Sequence, residues 1–257
     1  MSGVAPETAL AGLLATLRMT ALFGVAPLFG HLAVPIRVRG ALAVAVALAL
    51  VPALPPPAIA VPVDLPHLGL AAAGEAATGI ALGFAMRLVF DAIGLFGGIF
   101  SMQGGLGAAS VVDPSSGAPS TSGSTLLETI ATLVYVAIDG HHALLRAAAA
   151  SFDVVPPGGG GPATGSLLQI AALGSHVFAV AVQLAAPIMV AMMLANLALG
   201  VLGRSLPEMN LMMVQMPAHV LFGLSLLFAS ATPLGRILAQ SLVEWSARAT
   251  AAVLGGP

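Results

Sequence analysis

The stretch from Val154 to Gly203 contains no Asp, Glu, Lys or Arg, and this feature most restricts what the chain can fold into. Of all 257 residues, 7% are charged and 58% are apolar. An ordinary soluble domain has about 25% charged residues. This small number of charges cannot cover the surface of a water-soluble globule. Most of the exterior must therefore face lipid or other protein subunits.

The charge balance and the absent motifs exclude several functions. All 8 basic residues are arginines, the net charge is −2, and no basic cluster occurs, so the chain is not expected to bind nucleic acid. The absence of cysteine excludes disulfides, thiolate metal sites and cysteine nucleophiles. No HExxH, Walker A or GxSxG motif occurs, and Asp139, His141 and His142 lack the spacing of a recognised metal site. We therefore expect no enzyme activity, no catalytic residues, no metal and no cofactor.

The apolar segments between charges predict an all-α fold in one integral membrane domain over residues 1–257. There are about six, each long enough for a membrane helix of about 20 residues. Four lie between charges, namely Met19–Ile36, Gly40–Val63, Val154–Gly203 and Met209–Gly235, and two carry charges inside, namely Ala71–Met102 and Ser124–Ser151. The 30 glycines and 19 prolines predict broken or kinked helices. Residues 156–165, rich in Pro and Gly, are expected to form a mobile connector.

A polar stripe runs through the fourth apolar segment in alternating steps of four and three residues. This spacing predicts one face of a single helix, which carries Glu128, Thr132, Tyr135, Asp139, His142 and Arg146. A charged group that faces lipid costs at least ~2.5–3.5 kcal/mol, so this face must point at protein or at a water-filled path. It is either a subunit contact with an internal polar network, or a proton relay or substrate-lining surface.

A second face in the third segment favours close helix packing. Its polar and small residues are four apart and comprise Glu75, Gly79, Gly83, Arg87 and Asp91, followed by Gly94, Gly97 and Gly98. Glycines at this spacing let another helix backbone approach closely. Arg87 is expected to pair with Asp91 one turn further on.

Two other features are singled out by their composition. The segment Gly104–Gly123 (GGLGAASVVDPSSGAPSTSG) lacks helical periodicity and is long for a connector, so it is either an exposed linker or a functional loop. The second feature is a methionine face on a later helix, made by Met209, Met212, Met213 and Met216. Methionines fill cores and also form surfaces that adapt to varied partners.

Five sequence pieces follow one another in a familiar order: residues 18–39 (RMTALFGVAPLFGHLAVPIRVR), 75–90 (EAATGIALGFAMRLVF), 103–117 (QGGLGAASVVDPSSG), 133–152 (LVYVAIDGHHALLRAAAASF) and 207–217 (PEMNLMMVQMP). In this order they resemble the FliR / SctT family of export-apparatus proteins in flagellar and virulence type III secretion. VDPSSG and AIDGHH resemble the flagellar branch more than the injectisome branch.

The resemblance implies one subunit of a hetero-oligomeric export gate in the bacterial inner membrane and the flagellar basal body. Its implied partners are FliP- and FliQ-type subunits, FlhB- and FlhA-type proteins, membrane lipid and unfolded export substrates. The family's fold implies kinked helical hairpins lying largely above the membrane plane.

The resemblance also implies that residues 104–123 plug the closed channel, with Gly104, Gly105, Leu106, Val111, Val112, Asp113 and Pro114 as plug residues. Because Ala108, Ala109 and Ser110 are small, we expect Leu106, Val111 and Val112 to form the seal. The alternatives are a secondary transporter of a small solute, a scaffold without a pore, and an injectisome subunit.

Overall fold

The computed structural model describes residues 6–30, 34–59, 64–104, 122–162, 164–205 and 211–254, and every regular element in these ranges is helical. The helices are α1 (Pro6–Val25), α2 (Ile36–Leu50), α3 (Leu65–Gln103), α4 (Ser122–Ala137), α5 (Gly140–Val154), α6 (Thr164–Ser205), α7 (Leu211–Ala229) and α8 (Ala231–Leu254). A short 3-10 turn, Val51–Ala53, follows α2. The prediction of an all-α fold is confirmed.

The chain divides into two compact units. The first unit is formed by the described residues of Met1–Val89, Val136–Gly174 and Leu242–Pro257. In it α1 packs against α2 and against the first half of α3. The contact between α1 and α3 is close: a Cβ built on Gly83 would lie only 2.8 Å from the Leu22 carbonyl oxygen, so glycine is needed at this position.

The second unit comprises Phe90–Tyr135 and Ser175–Ser241 and has its own apolar core. Aromatic and aliphatic side chains of α3, α4, α6 and α8 form this core, and its largest members are Ile93, Phe96, Phe100, Leu127, Leu184, Ile188, Met192 and Leu238. Phe96, Phe100 and Leu127 are almost completely buried, so α3 and α4 supply its centre.

The first helix does not follow the charge-delimited segment, and the prediction of a helical segment at Met19–Ile36 is wrong. Instead α1 begins at Pro6, runs through Arg18 and ends at Val25, after which Leu28 has a positive φ of 68°. Arg18 does not mark a helix end because its side chain is buried and paired inside the protein.

The segment Ser124–Ser151 is two helices, so the prediction of a single helix there is also wrong. The break lies at Asp139, which has a φ of 57° in the left-handed region and is followed by Gly140. Met209–Gly235 likewise covers all of α7 and the start of α8, with a turn at Ser230 between them. In contrast, α6 continues through Pro187 without interruption.

Within the described residues, four helical stretches are long and apolar enough to cross a membrane: Pro6–Val25, Ile36–Ala53, Leu65–Gln103 and Leu168–Arg204. Large apolar side chains of α6 are exposed, among them Phe178, Val190, Leu194 and Val201. Surfaces of this kind are stable in lipid or against another apolar protein, and they are unfavourable in water.

Candidate functional site

The last part of α3, from Phe90 onward, forms a tight hairpin with α4 in the second unit. A Cβ built on Gly97 would lie 2.6 Å from the Cα of Ser124, and one built on Gly123 would lie 3.0 Å from the Cβ of Ser101. Only glycine permits backbones to approach this closely. The end of α3 and the start of α4 therefore lie side by side.

Helix α7 reaches the same end of the hairpin. A Cβ on Gly223 would lie 3.3 Å from the Cα of Gly104 and 3.8 Å from the Phe100 ring. Gly104 is buried, and its backbone N–H donates to the Phe100 carbonyl oxygen at 2.8 Å, which completes the last turn of α3. Gly104 and Gly123, which flank residues 105–121 in the sequence, are thus held by contacts among α3, α4 and α7.

Most of the expected plug residues lie outside the described residues. These are Gly105, Leu106, Val111, Val112, Asp113 and Pro114. Gly104 is the one plug residue of our prediction that falls within the described part of the chain.

A buried ion pair stabilises the first unit. Arg18 Nε donates to Glu75 Oε2 at 2.6 Å, and Arg18 Nη2 donates to Glu75 Oε1 at 3.2 Å. The guanidinium also donates to Ser151 Oγ at 2.9 Å and to the Val155 carbonyl oxygen at 2.8 Å. The Phe152 ring lies beneath it, 4.0 Å from ring centroid to Cζ.

The carboxylate of Glu75 is also satisfied from the other side. The backbone N–H of Gly158 donates to Glu75 Oε1 at 2.8 Å. A charged pair without solvent exposure is stable only when its remaining hydrogen-bonding capacity is used, as it is here. The network therefore connects α1, α3, α5 and the turn after α5.

Sequence reasoning missed this network although it singled out both of its regions. The sequence pattern places Glu75 on a helix-packing face and Arg18 at the boundary of an apolar segment. The connector at 156–165 was expected to be mobile, but its described part is held by the Gly158 hydrogen bond. The available signal was one acidic and one basic residue, each isolated within an apolar stretch.

The break at Asp139 divides the polar stripe, so the prediction of one continuous helical face is wrong. Glu128 and Thr132 lie on α4 in the second unit, with Tyr135 buried edge-on against the Phe90 ring. After the break come Asp139, His142 and Arg146, all exposed and all in the first unit. Asp139 Oδ1 lies 3.1 Å from His142 Nδ1.

The helix-packing residues occupy two environments. Gly79 and Gly83 lie against α1, where a Cβ on Gly79 would overlap the Arg18 carbonyl oxygen. Arg87 and Asp91 are exposed on α3. On α7, the structure describes the backbone of Met212, Met213 and Met216, whereas Met209 lies outside the described residues.

Comparisons with known proteins give consistent results. A family model described as bacterial export proteins, family 1, matches residues 9–244. The flagellar biosynthetic protein FliR of Escherichia coli strain K12 is 32% identical over 213 residues, which cover 83% of this chain and 81% of that protein.

Two further relatives carry the same name. FliR of Caulobacter vibrioides is 32% identical over 213 residues, and the match covers 83% of this chain and 85% of that protein. FliR of Bacillus subtilis strain 168 is 30% identical, with 81% of each chain covered. The family match spans nearly the whole sequence and agrees with the resemblance of the five sequence pieces, so this chain belongs to family 1 of the bacterial export proteins.

Proposed function

We propose that this chain is a subunit of the flagellar protein export gate and that residues 104–123 act as a movable plug in its channel. Unfolded export substrates pass when the plug moves, and the chain itself makes and breaks no bond. The relatives are named flagellar biosynthetic proteins, which favours the flagellar system over the injectisome.

The α3–α4 hairpin carries the plug assignment. Its glycine contacts hold Gly104 and Gly123 in buried positions at one end of two packed helices. A gate needs a rigid frame that holds both ends of a segment while the segment itself changes position. The close contacts of Gly97 with the Ser124 backbone and of Gly223 with Gly104 would supply such a frame.

The exposed apolar surface supports a hetero-oligomeric assembly in the bacterial inner membrane. Phe228 on α7 is 86% exposed and Leu221 is 70% exposed. We propose that FliP- and FliQ-type subunits, together with lipid, cover such surfaces, and that FlhB- and FlhA-type proteins lie nearby. Glu128, Arg146 and the α7 methionines would contribute subunit contacts in this arrangement.

Replacement of the plug tests the proposal. Residues 105–121 are exchanged for a short Gly-Ser linker in cells that assemble the complete gate, and Gly104 and Gly123 are kept because they contact Phe100 and Ser101. We expect the variant to co-purify with its partner subunits and to make the membrane permeable to small ions. Intact assembly with unchanged ion conductance would contradict the plug assignment.

The absence of cysteine offers a second test with a matched control. A single cysteine at Val111 is compared with one at Leu126, an exposed residue of α4. A plug that moves should make Val111→Cys more reactive toward a membrane-impermeant maleimide when a substrate is stalled in the gate, while Leu126→Cys is unchanged.

Purification of the chain as a self-sufficient homo-oligomeric transporter would overturn the gate proposal.

A further inference from the structure

We propose that Asp139, His141 and His142 form a binding site for a divalent transition metal ion such as Zn²⁺. Each residue offers one ligand atom, and the three atoms lie within 4.8 Å of one another. A metal ion at about 2.0–2.2 Å from each ligand is compatible with such a spread after small side-chain rotations. The sequence spacing alone did not predict this site.

The cluster lies at the N-terminus of α5, directly at the helix break. Asp139 lies in the left-handed region with a φ of 57°, directly before α5, and this conformation turns its carboxylate towards the first turn of that helix. Asp139 Oδ1 lies 3.1 Å from His142 Nδ1, and the rings of His141 and His142 have centroids 4.2 Å apart. His141 and His142 both lie in the first turn of α5, and Asp139 at its N-cap precedes His142 by three residues, which places the carboxylate beside that ring.

The Nδ1 atom of His141 is a second, independent observation. This nitrogen is shielded from solvent and has no hydrogen-bond partner in the structure. A buried polar atom without a hydrogen-bond partner is unfavourable, and a bound ion is one way to satisfy it. A metal ion coordinated beside His142 would supply the interaction that the protein does not.

The ligand set indicates the class of metal. Two imidazoles and one carboxylate suit Zn²⁺, Ni²⁺ or Cu²⁺, whereas Mg²⁺ and Ca²⁺ prefer sites made of oxygen. Three protein ligands leave a further position for water or for a side chain of another subunit. Because Asp139 and His142 are exposed, an ion can reach the site from solvent. Its binding would hold the turn between α4 and α5 in its left-handed conformation.

Metal titration of the full-length chain, purified in detergent without a histidine tag and stripped with a chelator, tests the site. Co²⁺ serves as the spectroscopic probe, and Zn²⁺ is then used to displace it in a calorimetric experiment. We expect one equivalent per chain, displacement by Zn²⁺ and no competition from excess Mg²⁺. The variants His141→Ala, His142→Ala and Asp139→Asn should each weaken the affinity by about tenfold or more.

The chain contains a matched control. His67 Nδ1 lies 3.0 Å from Asp64 Oδ2, so this exposed pair has the same three-residue spacing as Asp139 and His142. His67→Ala should leave metal binding unchanged. Asp139→Asn provides a variant that keeps the turn, because Asn also tolerates the left-handed conformation. Undetectable binding, or binding that survives in all three site variants, would overturn the proposal.

Discussion

The guanidinium of Arg18 and the carboxylate of Glu75 form a two-pronged ion pair, and neither side chain is exposed to solvent. The two residues are 57 positions apart in the sequence. The pair joins α1 to α3 at the level where Gly79 lets the two helix backbones approach. Its contribution to stability therefore depends on both charges being present.

Removal of one charge of this pair should destabilise the first unit strongly. In Glu75→Gln, the buried Arg18 loses its counter-charge, and breaking a buried pair in this way costs about 3–5 kcal/mol. We expect a clear decrease in thermal stability of the purified chain. Trp245, the single tryptophan and almost fully buried, provides a fluorescence signal for the unfolding of this unit.

Two comparisons separate this effect from a general loss of charge. Glu244 and Arg248 form an exposed pair at 3.5 Å, so Glu244→Gln should change stability by less than about 1 kcal/mol. The double variant Arg18→Met with Glu75→Met removes both charges and should be more stable than Glu75→Gln. A single variant as stable as the original chain would contradict the assigned role.

The sequence predicted the helical class because its apolar segments are too long and too poor in charge for other folds. It placed the helix boundaries poorly, because a charge ends an apolar segment only when it is solvated. Arg18 is shielded from water and paired with Glu75, Ser151 and Val155, which come from distant positions that periodicity cannot identify. The prolines were better markers: Pro35 directly precedes α2, and Pro52 lies in the turn that follows it.

The break at Asp139 could have been predicted from the sequence. Asp-Gly is a strong turn signal, and it occurs at Asp139–Gly140 inside the AIDGHH piece. The three-and-four spacing of the polar stripe continues across this position, so periodicity alone predicts one helix. Asp139, His141 and His142 lie together where α5 begins, a position that a single continuous helix does not single out.

Substitution of Gly158 should weaken the ion-pair network indirectly. Gly158 has a φ of 77°, and a Cβ there would overlap Ile59. Gly158→Ala should therefore cost at least about 1–2 kcal/mol from backbone strain and displace the N–H that donates to Glu75. Gly161→Ala is the control, since its Cβ would meet nothing closer than 3.8 Å. Equal melting temperatures for the two variants would refute the prediction.

Trp245 should be held in place mainly by packing, with its hydrogen bond adding a smaller increment. Its Nε1 donates to the Ala85 carbonyl oxygen at 2.7 Å, joining α8 to α3 in the first unit. Trp245→Phe removes this bond and should cost about 1 kcal/mol, whereas Trp245→Ala should cost about 3–5 kcal/mol. Thermal unfolding followed by circular dichroism measures both variants, and similar losses for the two would show that packing is not dominant.

Gly97 and Gly98 allow a test of the hairpin that frames the proposed plug. A Cβ on Gly97 would meet the Ser124 backbone at 2.6 Å, whereas one on Gly98 would lie 3.7 Å from Ser124 Oγ, an ordinary contact. Backbone cannot move aside cheaply, so Gly97→Ala should cost about 1–3 kcal/mol. Gly98→Ala should be neutral or stabilising by up to about 1 kcal/mol, because alanine favours the helix.

The same pair of variants connects the frame to the gate. If close packing at Gly97 keeps the two ends of the plug together, Gly97→Ala should increase ion leakage through the assembled gate, while Gly98→Ala leaves the membrane tight. The measurement is ion conductance in cells that contain equal amounts of the complete assembly. Leakage in both variants would contradict the prediction, because any added methyl group at this level of α3 would then open the channel. A tight membrane in both variants would also contradict it, because the close contact at Gly97 would then not be needed to close the channel.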